Sequence, residues 1–345
     1  MFWFLLMVTC SSSGILAKTI RIGLFENNRF TSVQVILASG KWSLQSDEYT
    51  GRTLAAMDKT KFLAVKDSVM IQINEERSFT NQVILKSIGK GAVKINPLEP
   101  PVSPKLASDE VEILAINGQL IVINSLPLET YIAGVVDAET GRLRNPGFYK
   151  AQAILCRTYA LHNLDRHILE DFDLCDGTHC QKFKGVTDYP DIIKAAHDTK
   201  GLVAVDRNYD LVMAAYHSNC GGQTVPSQWV WQIELPYFVT VNDTFCKNEK
   251  HASWKIKIPA NNWKKYFGNV VARKEAMQWN DSAFIFIQKN RQRYYFAGTD
   301  SIQFTRLRND WKVNSSFFDV QYAPGTFILN GRGFGHGVGL CQEGA

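Results

Sequence analysis

Long apolar runs and concentrated charge are the features that this sequence lacks. No stretch among its 345 residues approaches the roughly 20 consecutive apolar residues that span a bilayer, which excludes a polytopic membrane protein. Charged residues are 21% of the chain and the net charge is +5, without any block of Lys or Arg, so nucleic acid is a poor candidate partner. A hydrophobic content of 45% is typical of a globular protein and excludes a disordered, collagen-like or coiled-coil chain.

The N-terminus has an apolar core with no basic residue before it. The segment from Phe2 to Val8 is entirely apolar and is followed by small residues up to Ala17, a pattern typical of a secretory signal peptide. We therefore expect residues 1–17 to be a signal peptide and the protein to be exported to the cell envelope, in the periplasm or on the extracytoplasmic face of the membrane. Two alternatives stay open, namely lipid attachment at Cys10 and a short buried strand.

Cysteine is scarce, with seven residues in the whole chain. If Cys10 is removed with the signal peptide, six remain, at positions 156, 175, 180, 220, 246 and 341. Export would place them in an oxidising compartment, where disulfides form. Six cysteines allow fifteen pairings, and the sequence alone cannot select one of them.

The distribution of elements predicts an α+β protein with a mixed, β-rich body and a helical block. Apolar and polar residues alternate through much of residues 18–105, which we predict to be an N-terminal β-rich segment, and Pro97–Pro104 is expected to be an exposed connector. Residues 106–345 form the predicted second domain. Within it, Asn117–Gly118 separates two alternating runs and predicts a hairpin.

After the hairpin, apolar residues recur at the spacing of an α-helix. Helices are predicted over residues 128–139, 148–167 and 190–199, with Gly141 ending the first of them. Short strands return afterwards, for example at Ala283–Ile287. A sheet interrupted by a helical block favours the α+β class.

Glu139 is a candidate catalytic residue because it comes at the end of the first predicted helix, which is otherwise apolar. The negative end of the helix dipole disfavours a carboxylate and should raise its pKa, which suits a general acid near neutral pH. From spacing alone, the alternative is a solvated surface Glu. Asp137 lies about 200° away around the helix, so we do not expect the two carboxyls to face one site.

Three candidate metal ligands are crowded into a short segment. Cys175, His179 and Cys180 lie within six residues, a spacing that resembles part of a tetrahedral zinc site. His167 is the nearest upstream candidate for a fourth ligand. A disulfide involving Cys175 or Cys180, or two inert thiols, are the alternatives.

Two glycine-containing segments carry further polar side chains. In the first, His217 and Ser218 are adjacent residues at the end of a predicted strand. Their side chains would point to opposite sides, which disfavours a Ser/His hydrolase pair. The second, Gly331–Ala345, has glycine spacings similar to a nucleotide motif but lacks the strand–loop–helix context. Its glycines are expected to let His336 and Gln342 approach a sugar or another backbone closely.

Taken together, these segments resemble the stage II sporulation protein D family, also called the SpoIID/LytB domain. The matching pieces occur in the family's order and cover about residues 110 to 345. They are Leu126–Glu139, Lys150–Ala160, Cys175–Gln181, Tyr216–Gly222, Pro236–Tyr237 and Gly331–Gly339. The β-rich region ahead of them fits the leading segment usual in the family.

The resemblance implies a lytic transglycosylase that cleaves peptidoglycan glycan strands stripped of their stem peptides. The family's catalytic Glu corresponds to Glu139. Hydrolytic glycosidases generally use two carboxylates, whereas this reaction can use one, because the 6-hydroxyl of muramic acid closes a 1,6-anhydro ring. The domain also carries an amidase-enhancer label, so the alternative is a non-catalytic glycan-binding protein that stimulates an N-acetylmuramoyl-L-alanine amidase.

The resemblance further implies a structural zinc held by Cys175, His179 and Cys180, and no organic cofactor. Members with zinc have a His at the position that Leu169 occupies here, and His167 is two residues away. The matched motifs also suggest residues that position the glycan, namely Arg157, Tyr159, Gln181, His217, Ser218, His336 and Gln342. Because the family usually continues with a helix after the glycine motif, we expect the natural chain to extend beyond Ala345.

Overall fold

The computed structural model describes residues 7–9, 19–26, 28–142 and 144–345. The predicted signal peptide and Cys10 lie outside these residues, apart from Met7–Thr9, which forms a strand. None of the described helices combines the length and apolarity needed to cross a membrane. The chain divides into two compact units, Met1–Ala214 and Ala215–Ala345. The boundary that we predicted after residue 105 lies inside the first unit, and the predicted domain division stays a prediction.

The elements of the first unit are mostly strands, with a helical block near its end. The strands are β1 (Met7–Thr9), β2 (Thr19–Leu24), β3 (Ser32–Gln45), β4 (Thr50–Leu54), β5 (Thr60–Val65), β6 (Ser68–Ile73), β7 (Glu76–Thr80), β8 (Gln82–Glu99), β9 (Lys105–Ser108), β10 (Glu110–Ile116), β11 (Gln119–Pro127), β12 (Leu174–Cys175) and β13 (Leu202–Ala204). The helices are α1 (Leu128–Thr140), α2 (Pro146–His162) and α3 (Pro190–Asp198).

A mostly antiparallel sheet fills the first unit and is built around two long strands. The strand order is β12-β2-β11-β10-β8-β3-β5-β6-β7, with β4 on β3 and β9 on β8. At one edge, the short β12 runs parallel to β2, and the neighbouring β11 leads directly into α1. This edge of the sheet therefore positions both the helix that carries Glu139 and the strand that carries Cys175.

The predicted hairpin is confirmed, whereas the proline-rich connector is shorter than predicted. Asn117 and Gly118 join β10 to β11 with φ values of 52° and 74°, as a turn with two left-handed residues requires. β8 continues through Pro97 to Glu99. Pairing with β3 shifts register at this point, where Val33 opposes Pro97 and Ser32 opposes Glu99. A bulge of this kind tolerates a residue without an N–H donor.

Three packed helices follow the sheet. Gly141 ends α1 with a φ of 67°, as predicted. The side chain of Asn145 caps α2 by accepting from the N–H of Phe148 at 2.9 Å. α2 ends at His162 rather than at the predicted residue 167, because the side chain of Asn163 donates to the carbonyl of Tyr159 at 2.8 Å and replaces a helical donor.

The second unit combines small sheets with an aromatic core. Its elements are β14 (Tyr216–His217), β15 (Ser253–Pro259), α4 (Ala260–Val270), β16 (Tyr294–Ala297), β17 (Asp300–Gln303), α5 (Phe304–Asp310), β18 (Phe318–Ala323), β19 (Thr326–Arg332) and β20 (Leu340–Cys341). β19 lies between β15 and β18, and β14 pairs with β20 in parallel. The predicted strand at Ala283–Ile287 is wrong, since a 3₁₀ turn covers Asp281–Phe284 and only Phe286 bridges to β18. The mixed, β-rich architecture agrees with the α+β class.

Candidate functional site

Glu139 lies one residue before the end of α1 and is half-buried. Its Oε1 accepts a hydrogen bond of 2.8 Å from the backbone N–H of Lys182. Burial raises the pKa of Glu139, while this hydrogen bond and the charge of Lys182 oppose the rise. The direction agrees with the sequence-based expectation, but the cause in the structure is burial. A carboxyl of this kind can hold a proton at a higher pH than an ordinary Glu and donate it as a general acid.

Asp137 has a different set of partners. Arg142 Nη2 lies 3.0 Å from its Oδ2, and the hydroxyl of Thr187 donates to the same oxygen. Burial would raise the pKa of Asp137, but these two hydrogen bonds lower it overall. Asp137 and Glu139 therefore differ in character, since the pKa of the paired Asp137 is lowered and burial raises the pKa of Glu139.

The loop that brings Lys182 to Glu139 packs closely on α1. A Cβ at Gly134 would lie 2.4 Å from the ring of Phe183 and 2.6 Å from the carbonyl of Gly185. The rings of Tyr131 and Phe183 are in contact, with centroids 5.2 Å apart. Only glycine leaves room for this approach, so the sequence of α1 fixes the position of the loop and of the amide that contacts Glu139.

Two imidazoles and two thiols converge beside this loop. We call these four residues, His167, Cys175, His179 and Cys180, the His–Cys cluster. One ligand atom from each lies within 4.8 Å of the others. His179 Nδ1 is 3.8 Å from both sulfurs, and His167 Nε2 is 3.4 Å from the sulfur of Cys180. Tetrahedral zinc with bonds of about 2.0–2.3 Å separates its ligand atoms by about 3.3–3.8 Å, so the donor set and spacing fit that ion.

His167, the upstream candidate for a fourth ligand, lies in the His–Cys cluster. A 3₁₀ turn over Ile168–Glu170, followed by Asp171 with a φ of 61°, turns the chain back towards β12. Glu170 contacts Nδ1 of His167, and Nε2 faces the cluster. A carboxylate on the outer nitrogen is the usual way to orient a metal-binding imidazole.

The His–Cys cluster is fastened to the central sheet. Cys175 pairs with Gly23 of β2, and a Cβ at Gly23 would lie 2.6 Å from the ring of Phe172. The carboxylate of the next residue, Asp176, forms an ion pair with Lys105. Because Lys182 comes two residues after Cys180, the cluster and the sheet edge together hold the segment that contacts Glu139.

Arg157 has a structural position rather than a place on a binding surface. Its side chain is fully buried and pairs with Glu129 through Nε–Oε1 and Nη2–Oε2 contacts of 3.0 and 2.5 Å. It also donates to the carbonyls of Leu202 and Ala196. A buried guanidinium with these partners cannot reach a glycan, so the structure does not support the predicted contact. The prediction rested on a motif match and on side-chain chemistry, neither of which indicates burial.

Tyr159 and Gln181 lie around the His–Cys cluster. Tyr159 is partly exposed, and Arg166 donates both to its hydroxyl and to the carbonyl of His179. Gln181 is buried. Contact of either side chain with a glycan stays a prediction. Lys182 was missed by the sequence analysis, because its contribution is a backbone N–H that no side-chain pattern reveals.

The second unit contains its own polar group, formed by His217 of β14 and His336. Their rings are 5.5 Å apart, and Val338 bonds to Nδ1 of both rings through its carbonyl and its N–H. Burial lowers the pKa of His217 to about 3 and that of His336 to about 4, so both are neutral near pH 7. A Cβ at Gly335 would lie 2.8 Å from the Cβ of His217, which explains a glycine there.

The remaining residues of this group differ in exposure. Ser218 is partly exposed, whereas Gln342 is buried and its N–H donates to the carbonyl of His217 at 2.9 Å. The glycine-rich segment thus packs against another backbone, which is one of the two outcomes expected for it. Contacts of His217, Ser218, His336 and Gln342 with a glycan stay predictions.

Comparison with known proteins gives a consistent set of matches. Residues 116–205 match the model of the SpoIID family, described as stage II sporulation protein. This range includes Glu139 and the whole His–Cys cluster. The part of the chain that carries the candidate acid and the candidate metal ligands is therefore the part that matches the family.

Similarity to individual proteins extends further along the chain. An uncharacterized protein of Brachyspira hyodysenteriae is 24% identical over 320 residues, covering 89% of this chain and 81% of the relative. Stage II sporulation protein D of Bacillus subtilis is 25% identical over 287 residues, covering 76% and 77% of the two chains. The amidase enhancer of the same organism is 22% identical over 248 residues, which is 57% of this chain and 34% of the relative.

Proposed function

Because residues 116–205 match the model of the SpoIID family, we propose that this protein is an exported cell-wall enzyme, a lytic transglycosylase that cleaves glycan strands stripped of stem peptides. The observation that carries the proposal is the state of Glu139, a half-buried carboxyl of raised pKa whose Oε1 is held by the N–H of Lys182. The match to a sporulation protein and to an amidase enhancer supports a peptidoglycan substrate.

In the first step, Glu139 donates its proton to the glycosidic oxygen as the bond between muramic acid and the next sugar breaks. The resulting carboxylate, stabilised by the N–H of Lys182, then accepts the proton of the 6-hydroxyl. That oxygen attacks the anomeric carbon and closes the 1,6-anhydro ring. Glu139 is protonated again at the end, so the proton balance closes with one carboxyl.

A tethered nucleophile explains why a single carboxyl is enough. Intramolecular attack by a well-oriented group gains an effective molarity of about 10⁵–10⁸ M over a free reactant. Hydrolysis would need a second carboxylate to activate water. On α1, Glu129 is paired with the buried Arg157, and Asp137 is paired with Arg142 and Thr187, which makes both of them poor bases.

The His–Cys cluster fits a structural zinc ion. Four protein ligands would close its coordination sphere, and closed zinc sites stabilise folds rather than activate water. Here the ion would hold the segment from Cys175 to Lys182 against α1 and so keep the Lys182 amide on Glu139. No step of the cleavage reaction needs the metal.

Digestion of purified, peptide-free glycan strands tests the proposal. Mass spectrometry of the released fragments should find 1,6-anhydro-muramic acid ends, each lighter by one water than a hydrolysed end. Reducing ends would contradict the transglycosylase mechanism. Strands that retain stem peptides should be poor substrates, so prior treatment with an amidase should increase cleavage.

A second candidate function is favoured by the match to an amidase enhancer. In that case the protein would bind glycan strands without cutting them and would stimulate an N-acetylmuramoyl-L-alanine amidase. One experiment with intact peptidoglycan distinguishes the two functions. An enhancer would increase the release of stem peptides by added amidase and would release no glycan fragments by itself.

A further inference from the structure

A second convergence of thiols lies in the unit Ala215–Ala345, outside the range that matches the SpoIID family. We call its four residues, Cys220, Asp243, Cys246 and Cys341, the tricysteine cluster. One ligand atom from each lies within 4.8 Å of the others. The sulfur of Cys220 is 3.4 Å from that of Cys246 and 3.3 Å from Oδ2 of Asp243. All three cysteines are buried.

We propose that the tricysteine cluster binds a zinc ion that fastens together three separate segments of the second unit. Three thiolates and one carboxylate form a four-ligand set that zinc accepts, and thiolates select it over harder cations. Tetrahedral zinc with bonds of about 2.0–2.3 Å places its ligand atoms about 3.5–3.8 Å apart, close to the separations observed here. With four protein ligands the site is closed and therefore structural.

The groups around the cluster are arranged as they are around metal-bound thiolates. The N–H of Cys220 points at the sulfur of Cys341 at 3.3 Å. The N–H of Phe245 donates to Oδ1 of Asp243 at 2.9 Å, which leaves Oδ2 to face the sulfur of Cys220. A Cβ at Gly344 would lie 2.0 Å from the same Oδ2, so the backbone after Cys341 closes over the carboxylate. Such outer contacts orient ligands towards an ion.

A buried arginine provides an independent indication of negative charge. Arg291 is only 6% exposed, and its guanidinium donates to two neutral groups, the carbonyl of Cys220 at 2.7 Å and the hydroxyl of Ser316 at 3.2 Å. A buried cation without a neighbouring anion is costly. Zinc bound to three thiolates and a carboxylate has a net negative charge, and it would place that charge beside Arg291.

A disulfide is the competing chemistry for an exported protein. It would join two of the three sulfurs and leave the third as a free thiol, and it would not involve Oδ2 of Asp243. Zinc uses all four groups. The geometry therefore favours a metal over any single pairing within the cluster.

The proposed ion would also set the position of the histidine pair. Cys220 follows His217 by three residues, and Cys341 follows His336 by five. The side chain of Asn219 links the same segments, since it donates to the carbonyl of Cys246 at 2.9 Å and to Glu343 at 2.7 Å. Loss of the ion should loosen the contact between β14 and β20.

Elemental analysis of the full chain, purified without added metal, tests this proposal. We expect Cys246→Ala to lose one zinc per chain relative to the wild type. The matched control is Cys156→Ala, which removes a buried thiol outside both clusters and should keep the wild-type zinc content. Cys180→Ala should lose the zinc of the His–Cys cluster alone, so the two sites are counted separately. An unchanged zinc content in Cys246→Ala would overturn the proposal.

A second measurement needs only the wild-type protein and covers the case in which the variant does not fold. Alkylation without reduction, followed by peptide mass spectrometry, should find no disulfide among Cys220, Cys246 and Cys341. A disulfide between any two of them would overturn the proposal. Neither readout depends on glycan cleavage, so failure of the proposed enzyme activity and failure of this site remain distinguishable.

Discussion

The backbone N–H of Lys182 donates a hydrogen bond of 2.8 Å to Oε1 of Glu139, and Lys182 follows Cys180 by two residues. This contact joins the candidate acid at the end of α1 to the segment that the His–Cys cluster holds. It also gives the carboxylate form of Glu139 a fixed partner once its proton has been donated.

Replacement of Glu139 by Gln should abolish cleavage while leaving glycan binding largely intact. The substitution keeps size and a hydrogen-bonding group but removes the transferable proton, and loss of a general acid commonly costs about 10²–10⁴-fold in rate. Initial rates of fragment release and a pull-down with peptide-free strands measure the two properties. Asp137→Asn, on the same helix, is the control and should retain most of the activity. Near-normal turnover by Glu139→Gln would refute the catalytic assignment.

The pH dependence of cleavage should follow the pKa of Glu139. The first step needs the protonated acid, so the rate should fall as pH rises through that pKa, which burial has raised. The charge of Lys182 lowers the same pKa, so Lys182→Met should move the alkaline limb of the rate profile to higher pH. Lys184→Met removes another exposed charge of this loop and should leave the limb in place. A shift to lower pH in Lys182→Met would contradict the account.

His167 should be the fourth ligand of the His–Cys cluster. His167→Ala should lower the zinc content of the first site and the melting temperature, because a closed structural site loses affinity with any ligand. His162→Ala replaces an exposed histidine nearby and should change neither. Elemental analysis and thermal unfolding measure both effects. A disulfide found between Cys175 and Cys180 in the purified protein would rule the metal site out.

Arg157 should contribute to stability and not to glycan recognition. Arg157→Leu leaves Glu129 buried without its partner, and breaking a buried ion pair in this way costs about 3–5 kcal/mol in the free energy of unfolding. Urea unfolding measures the loss. Replacing both Arg157 and Glu129 by Leu should recover part of it, since no uncompensated charge remains. Unchanged stability combined with weaker glycan binding in Arg157→Leu would restore the binding role.

Local sequence rules were sufficient for the features that depend on neighbouring residues. Asn117–Gly118 predicted the hairpin because both residues tolerate positive φ, and Gly141 predicted the end of α1, which places Glu139. Features that depend on residues distant in the sequence were not predicted. The buried side chain of Arg157 pairs with Glu129, which is 28 residues away in the sequence. The periodicity of α2 does not reveal that ion pair.

The candidate metal ligands also depend on residues that are distant in the sequence. The spacing of Cys175, His179 and Cys180 predicted three members of the His–Cys cluster. The position of the fourth, His167, depends on the 3₁₀ turn that follows it in the chain. The tricysteine cluster draws its ligands from segments up to 121 residues apart. The pairing of β14 with β20 brings the Cys220 and Cys341 segments together.

The most direct test of the central claim is cleavage of peptide-free glycan strands in water labelled with heavy oxygen. If the 6-hydroxyl of muramic acid is the nucleophile, fragments released by the wild-type protein should end in 1,6-anhydro-muramic acid and carry no label from the solvent. Incorporation of heavy oxygen at the new ends would show that water is the nucleophile, and it would contradict the single-carboxyl mechanism built on Glu139.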